Sequence, residues 1–349
     1  WAVKECKTCH NESSLITQPI KLADKLPGGV MPEFVKGTNT LSSGNLSTEN
    51  GVLYYRPATR GQQLYIFGHD RVEWVDWLGA FFFVGVLGAV SVHGGLRFYM
   101  TLRRPRPKPR LKKVYMYAVY ERFWHWLQTF AIVLLLFTGL IIHRPDMFGI
   151  FSFRYVVLVH NILAALLVIN AALSLFYHLV SGQIRQFIPR PYGFFDNAIV
   201  QVKYYLRGIF KGDEHPFEKI PEKKLNPLQQ VTYFGILNVL LPLQIITGAL
   251  MWGVQQFPKI ANWFGGLPYL APFHSLIAWL FGAFIVGHVY LTTTGPTPFT
   301  SIKAMMVGWD EVEVHRPEAA ESEKPSEVAA DQKMVAEEAH LDDPAEKTE

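Results

Sequence analysis

The chain has 349 residues, of which 50% are hydrophobic and 14% aromatic, with a formal net charge of +4 and two cysteines. Length alone suggests two or three soluble domains, but the apolar residues fall in blocks free of Asp, Glu, Lys and Arg, at 77–96, 123–142, 155–184, 225–258 and 260–301, which excludes a soluble multidomain protein. Two cysteines also exclude an iron–sulfur, molybdenum or nickel centre built on thiolates, and the clustering of positive charge in loops removes the case for a nucleic-acid surface.

The first feature is Cys6-Lys7-Thr8-Cys9-His10. Such a pair can be a redox disulfide, half a zinc site or the covalent seat of a haem. Zinc wants four ligands and no other Cys exists, and nothing nearby reads as the strand–turn–helix of a thioredoxin-type disulfide. The adjacent His10 favours c-type haem, with Cys6 and Cys9 bonding the vinyl groups and His10 the iron. Two residues are candidates for the other axial position. His69 sits just before the first apolar block and would pin the haem at the membrane surface; Met31 would raise its potential. Residues 1–72, rich in Gly, Pro, Ser and Asn, are read as a small extracytoplasmic mono-haem c segment.

A spanning helix takes roughly 20 apolar residues, and five are predicted, near 75–97, 121–143, 154–179, 229–253 and 270–293. The first lies too far along to be a signal peptide, and the chain opens on Trp1 rather than Met, which leaves room for an upstream segment. The loop 97–113 holds eight Lys and Arg, and 185–224 eight more; the intervening loops hold Arg144 and Arg154, and Lys259. Basic loops stay cytoplasmic, so the N-terminus is expected outside and the C-terminus inside. Residues 73–114 make an additional helix and basic loop, 115–310 a four-helix domain, and 311–349, rich in Glu, Ala, Lys and Pro, a disordered acidic cytoplasmic tail.

Ionisable residues inside spans are costly and usually functional. His125 opens the second span, His160 the third, and His274 and His288 share the fifth. Fourteen residues separate the last two, about 40° short of four turns with a rise of about 21 Å. They therefore share a face at two depths. Alternating helix direction places His160 at the outer level with His274 and His125 at the inner level with His288. A lone membrane histidine more often packs or lines a cavity, but four at paired depths suit two bis-imidazole haems stacked across the bilayer. His93, His143 and His178 are read as interfacial, with His178 a reserve candidate at the inner level.

Within residues 115–310, Glu121-Arg-Phe-Trp-His-Trp126, Val157-Leu-Val-His-Asn-Ile-Leu-Ala164, the Thr247-Gly248 pair and the His274-x13-His288 helix occur in that order. This resembles the di-haem cytochrome b subunits of respiratory formate dehydrogenases, nickel–iron hydrogenases and thiosulfate reductases. The resemblance implies His125, His160, His274 and His288 as ligands of two b haems. It also implies a quinone, menaquinone or similar, beside the inner haem at a turn before the fourth span. That turn here carries Asn226 and Gln229, with Leu228 where the family has Gly; Asn226 also reads as a helix cap before Pro227.

The expected fold is an all-α integral membrane protein: five transmembrane helices, four of them a di-haem b bundle, with a haem-c segment outside. The expected function is an electron-transfer subunit joining a quinone pool near the cytoplasmic side, through two b haems and one c haem, to a periplasmic partner, either a multihaem cytochrome or an iron–sulfur subunit. The expected setting is the inner membrane of a bacterium, in contact with lipid. The alternatives are a stand-alone transmembrane b-type reductase, or a transporter or channel whose histidines bind no iron.

Overall fold

The computed structural model describes residues 8–9, 14–32, 44–57, 65–103, 110–148, 150–189, 192–217, 219–254 and 256–313. Cys6, His10 and the tail beyond 313 lie outside them. Five helices are long and apolar enough to cross a membrane. They are α1 (Glu73–Arg103), α2 (Val119–His143), α3 (Phe153–Val180), α5 (Pro227–Trp252) and α7 (Leu267–Thr292). Each extends no more than six residues beyond or short of the span expected from the sequence. Between them lie α4 (Phe194–Lys203), the short α6 (Pro258–Trp263) and, after the last span, α8 (Thr300–Val307).

Local chemistry fixes the helix starts. Asn226 accepts from the Gln229 backbone N–H at 2.9 Å, the Gln229 side chain accepts from the Asn226 N–H at 3.0 Å, and Pro227 stands where an N–H would have no partner. Glu121 does the same service at the head of α2, accepting from the Ala118 N–H at 2.8 Å. Helix α5 widens into a π turn over Ile236–Leu240, just before Pro242. The proline ring would clash with the carbonyl four residues back, and the wider turn makes room for it.

Helices α2, α3, α5 and α7 meet in a buried cluster of Ala131, Leu167, Leu241, Ile277 and Phe281. Helix α1 packs chiefly along α7. Small residues allow the approach: a Cβ on Gly79 would lie 2.2 Å from the Trp279 ring, and on Gly94 3.2 Å from Tyr290, while Gly282 faces Phe83. Polar clamps bind both ends. Asp76 of α1 meets His143 Nε2 at 2.7 Å, and His143 Nδ1 lies 3.5 Å from Ser275 Oγ on α7. At the other end His93 bonds Tyr290, and Arg97 donates to the Thr293 carbonyl and hydroxyl at the C-terminus of α7, where a cation is favoured.

Two small sheets flank the bundle. Strands β1 (Ile20–Ala23), β2 (Gly44–Glu49) and β3 (Val52–Pro57) form an antiparallel sheet in the order β1-β3-β2. At the end carrying the basic loops, β4 (Leu111–Tyr115) pairs antiparallel with β5 (Trp309–Glu313), with Lys113 opposite Glu311. The sequence reading did not foresee either sheet, and β5 continues past the point where it began the disordered tail. Around this second sheet Lys219 bonds Asp310 at 2.5 Å and Lys224 bonds Glu121 at 2.6 Å. Burial alone would lower the Lys219 ammonium, but Tyr117 and Asp310 outweigh it and hold it above the usual lysine range.

Two outcomes follow for stability. Gly79→Val puts methyl groups where Trp279 stands, so the melting temperature in detergent falls by an amount corresponding to about 1–3 kcal/mol, and adding Trp279→Ala recovers part of it. Because Lys219 is raised in the folded chain, its contribution is complete below the ordinary lysine value near ~10.4 and fades as pH climbs through the folded value. Lys219→Met therefore lowers stability at neutral pH by on the order of 1–3 kcal/mol, less than for a fully buried pair, read as a fall in melting temperature. The gap to the unsubstituted protein closes in strongly alkaline buffer.

Candidate functional site

The site is built from imidazoles at two levels of the helical bundle. At the basic end, α2 and α7 bring His125 and His288 together with ring centroids 6.3 Å apart and planes at 48°. Two imidazoles sharing one metal at a nitrogen distance of about 2 Å have ring centres roughly 6 Å apart once the ring radius is added. The His288 ring is held from two sides: its Nδ1 lies 3.2 Å from the Tyr233 hydroxyl, and Phe284 stacks on it at 5.4 Å. The His125 Nδ1 is buried with no hydrogen-bond partner among the described residues. A buried polar atom left in that state is costly, and it marks the place where a missing group would be satisfied.

At the opposite level, His160 of α3 and His274 of α7 lie within electrostatic reach of each other. His160 Nδ1 is 2.8 Å from Thr138 Oγ1 on α2, and His274 Nδ1 is 2.8 Å from Thr247 Oγ1 on α5. A glycine follows each threonine. A Cβ at Gly139 would sit 3.5 Å from His160 Cε1, and one at Gly248 only 3.2 Å from His274 Cε1. The two Thr-Gly pairs thus leave room for the imidazole edges. The Gln244 amide nitrogen approaches His274 Nε2 at 3.0 Å, while Gln244 Oε1 is buried with no partner among the described residues. An N–H aimed at Nε2 occupies the position a metal cation would take. The donor set therefore fits two irons held by histidine pairs. Among the described residues, no group of three or more His, Cys, Asp or Glu side chains gathers as a closed metal centre.

The remaining residues singled out from sequence are spread around this axis. His69 lies just before α1, its Nδ1 3.0 Å from Asp70, whose other oxygen accepts from the Ile66 N–H. Met31 is exposed, between β1 and β2. His143 is spent on Asp76 and Ser275. His178 is buried within the protein: its Nδ1 donates to the Ser174 carbonyl at 2.7 Å, and Trp124, Tyr177 and Phe187 surround the ring. Both His93 nitrogens are engaged, Nδ1 by Tyr290 and Nε2 by the Tyr205 carbonyl at 2.8 Å.

Asn226 and Gln229 use their side-chain oxygens on the cap of α5, and the Asn226 amide reaches the Tyr205 hydroxyl at 3.3 Å. The Tyr205 hydroxyl is raised by burial, against hydrogen bonds to Asn226, Thr294 and Gln201. Sequence reasoning passed over Thr138, Tyr233 and Gln244. The available signal was the repetition of Thr-Gly on α2 and α5, each on the helix preceding a histidine-bearing one.

The family described as prokaryotic cytochrome b561 matches residues 116–308. The chain is 37% identical over 202 residues to "Putative cytochrome YdhU" of Escherichia coli strain K12, covering 57% of this chain and 75% of that one. It is 24% identical over 202 residues to "Probable Ni/Fe-hydrogenase 1 B-type cytochrome subunit" of the same organism, covering 51% of this chain and 81% of the relative. No solved structure matches the chain. The chain belongs to the prokaryotic cytochrome b561 family. It is a multi-pass membrane b-type cytochrome that carries haem b and transfers electrons.

Proposed function

From that membership, we propose that the chain is the electron-transfer subunit linking a quinone pool to a redox partner on the opposite face of a bacterial inner membrane. The basic loops lie in the cytoplasm and the β1-β3-β2 sheet outside. His125 and His288 hold the inner b haem, and His160 and His274 the outer one. The observation that carries this reading is the 6.3 Å approach of His125 and His288 beside a buried Nδ1 that has no partner among the described residues. Bound by two imidazoles, haem iron supplies one-electron transfer and offers no open position to a substrate.

The chain's own residues do the rest. Tyr233 and Phe284 fix the orientation of the His288 ring. The amide groups of Asn226 and Gln229, near the inner level, are donors of the kind a quinone oxygen requires; menaquinone or a similar quinone is the ligand this reading assigns. Outside, Cys6, Cys9 and His10 hold a c haem. His69 is the better second ligand than Met31, because Asp70 engages its Nδ1 and leaves Nε2 for iron. The partner is a multihaem cytochrome or an iron–sulfur subunit; the name of the hydrogenase relative supports a membrane-bound redox complex.

The purified full-length chain, expressed with haem-maturation machinery, should give two b haems and one c haem per polypeptide in a pyridine haemochrome assay. Single His→Ala changes at 125, 160, 274 or 288 each remove one b haem and leave the c haem. Two b haems retained in His274→Ala overturn the ligand assignment, and absence of c haem overturns the outer segment alone. Quinol-driven reduction in membranes tests the quinone site separately: Asn226→Leu slows it without changing haem content.

A further inference from the structure

The same arrangement occurs twice at the outer level. Thr138 Oγ1 donates to the Leu134 carbonyl at 2.7 Å, and Thr247 Oγ1 donates to the Leu243 carbonyl, also at 2.7 Å. Each Oγ1 lies at the same 2.8 Å from the Nδ1 of a histidine on the next long helix. A hydroxyl has one hydrogen and two lone pairs. With the hydrogen committed to the carbonyl four residues back, the oxygen can only accept from the ring. Nδ1 then carries the proton, and the lone pair is left on Nε2.

The Gln244 contact agrees with this from the other side of the ring. With its amide nitrogen 3.0 Å from His274 Nε2, it pairs with an Nδ1–H tautomer, in which Nε2 accepts. The inner level lacks the device: His125 Nδ1 has no partner among the described residues, and His288 Nδ1 meets a tyrosine. The glycine after each threonine completes the arrangement, since a methyl there would press on the same imidazole edge, most tightly at Gly248.

We infer that Thr138 and Thr247 are a matched pair of positioning residues that hold His160 and His274 as Nδ1–H tautomers, presenting both Nε2 atoms to the outer iron. This rests on the ligand assignment proposed above. Neither threonine touches the iron. Each accepts a hydrogen bond from the ring Nδ1–H, which makes the imidazole a more basic ligand and favours the oxidised metal.

The test compares Thr→Val, which keeps the shape and drops the hydroxyl, with Thr→Ser, which keeps the hydroxyl, in the haem-loaded full-length chain. The two b components are followed by potentiometric titration. Thr138→Val and Thr247→Val each move the midpoint of one and the same b component upward and leave the other in place. They also speed loss of one b haem to a scavenging apoprotein by about 10-fold or more. The serine variants keep the original midpoint and retention. Unchanged midpoints at full haem content, equal shifts in both components, or serine variants behaving like valine variants overturn the proposal. Failure of the ligand assignment has a different signature: His160→Ala and His274→Ala then retain both b haems, whatever the threonine variants do.

Discussion

The bundle is governed by the cost of keeping imidazoles among hydrocarbon. No water is at hand inside a bilayer to satisfy a polar group, so each ring nitrogen must find its partner in the protein or in a ligand. His160 and His274 take threonine hydroxyls, and His288 takes a tyrosine. His125 is left with a buried Nδ1 that has no partner among the described residues. The positions of Thr138, Thr247 and Tyr233 follow from that demand, as does the crowding of glycines beside the rings. The apolar residues between them only have to fill space.

Helix α1 has to be explained in the same terms. In lipid, apolar contact by itself does not select a neighbour, and close packing and polar clamps do. Gly79 against Trp279 and Gly282 against Phe83 bring α1 onto α7, and Asp76, His93 and Arg97 fasten it at both ends. The helix that carries two of the four histidines is thus braced along its length by an element outside the stretch matching the family.

Much of this was legible in the sequence. Long uncharged blocks marked the five spans because hydrophobic length is a strong signal, and helical rise was enough to place the four histidines at two depths. The partners of those histidines were not legible: a threonine inside an apolar run looks the same whether it bonds its own helix or a ring on the next. The β4–β5 pairing joins segments nearly 200 residues apart, and five-residue polar strands have too little periodicity to announce themselves. Asp76 and His143 each read as a residue at a helix end; only their meeting across α1 and α2 gives them a role. Asn226 was read both ways, and its cap is present in full while its quinone contact is a matter for the proposed function.

Ala131, Leu167, Leu241, Ile277 and Phe281 form an apolar layer between the two histidine levels, with Phe281 seven residues from His274 and seven from His288. These five side chains themselves carry no group that could pass a proton. Charge hopping across the layer without a counter-ion would do work with or against the membrane voltage, up to about 2.3 kcal/mol per 100 mV for a full crossing. These five side chains would make the cytochrome one plate-to-plate element of a charged capacitor, sensitive to the energetic state of the cell without any sensor of its own.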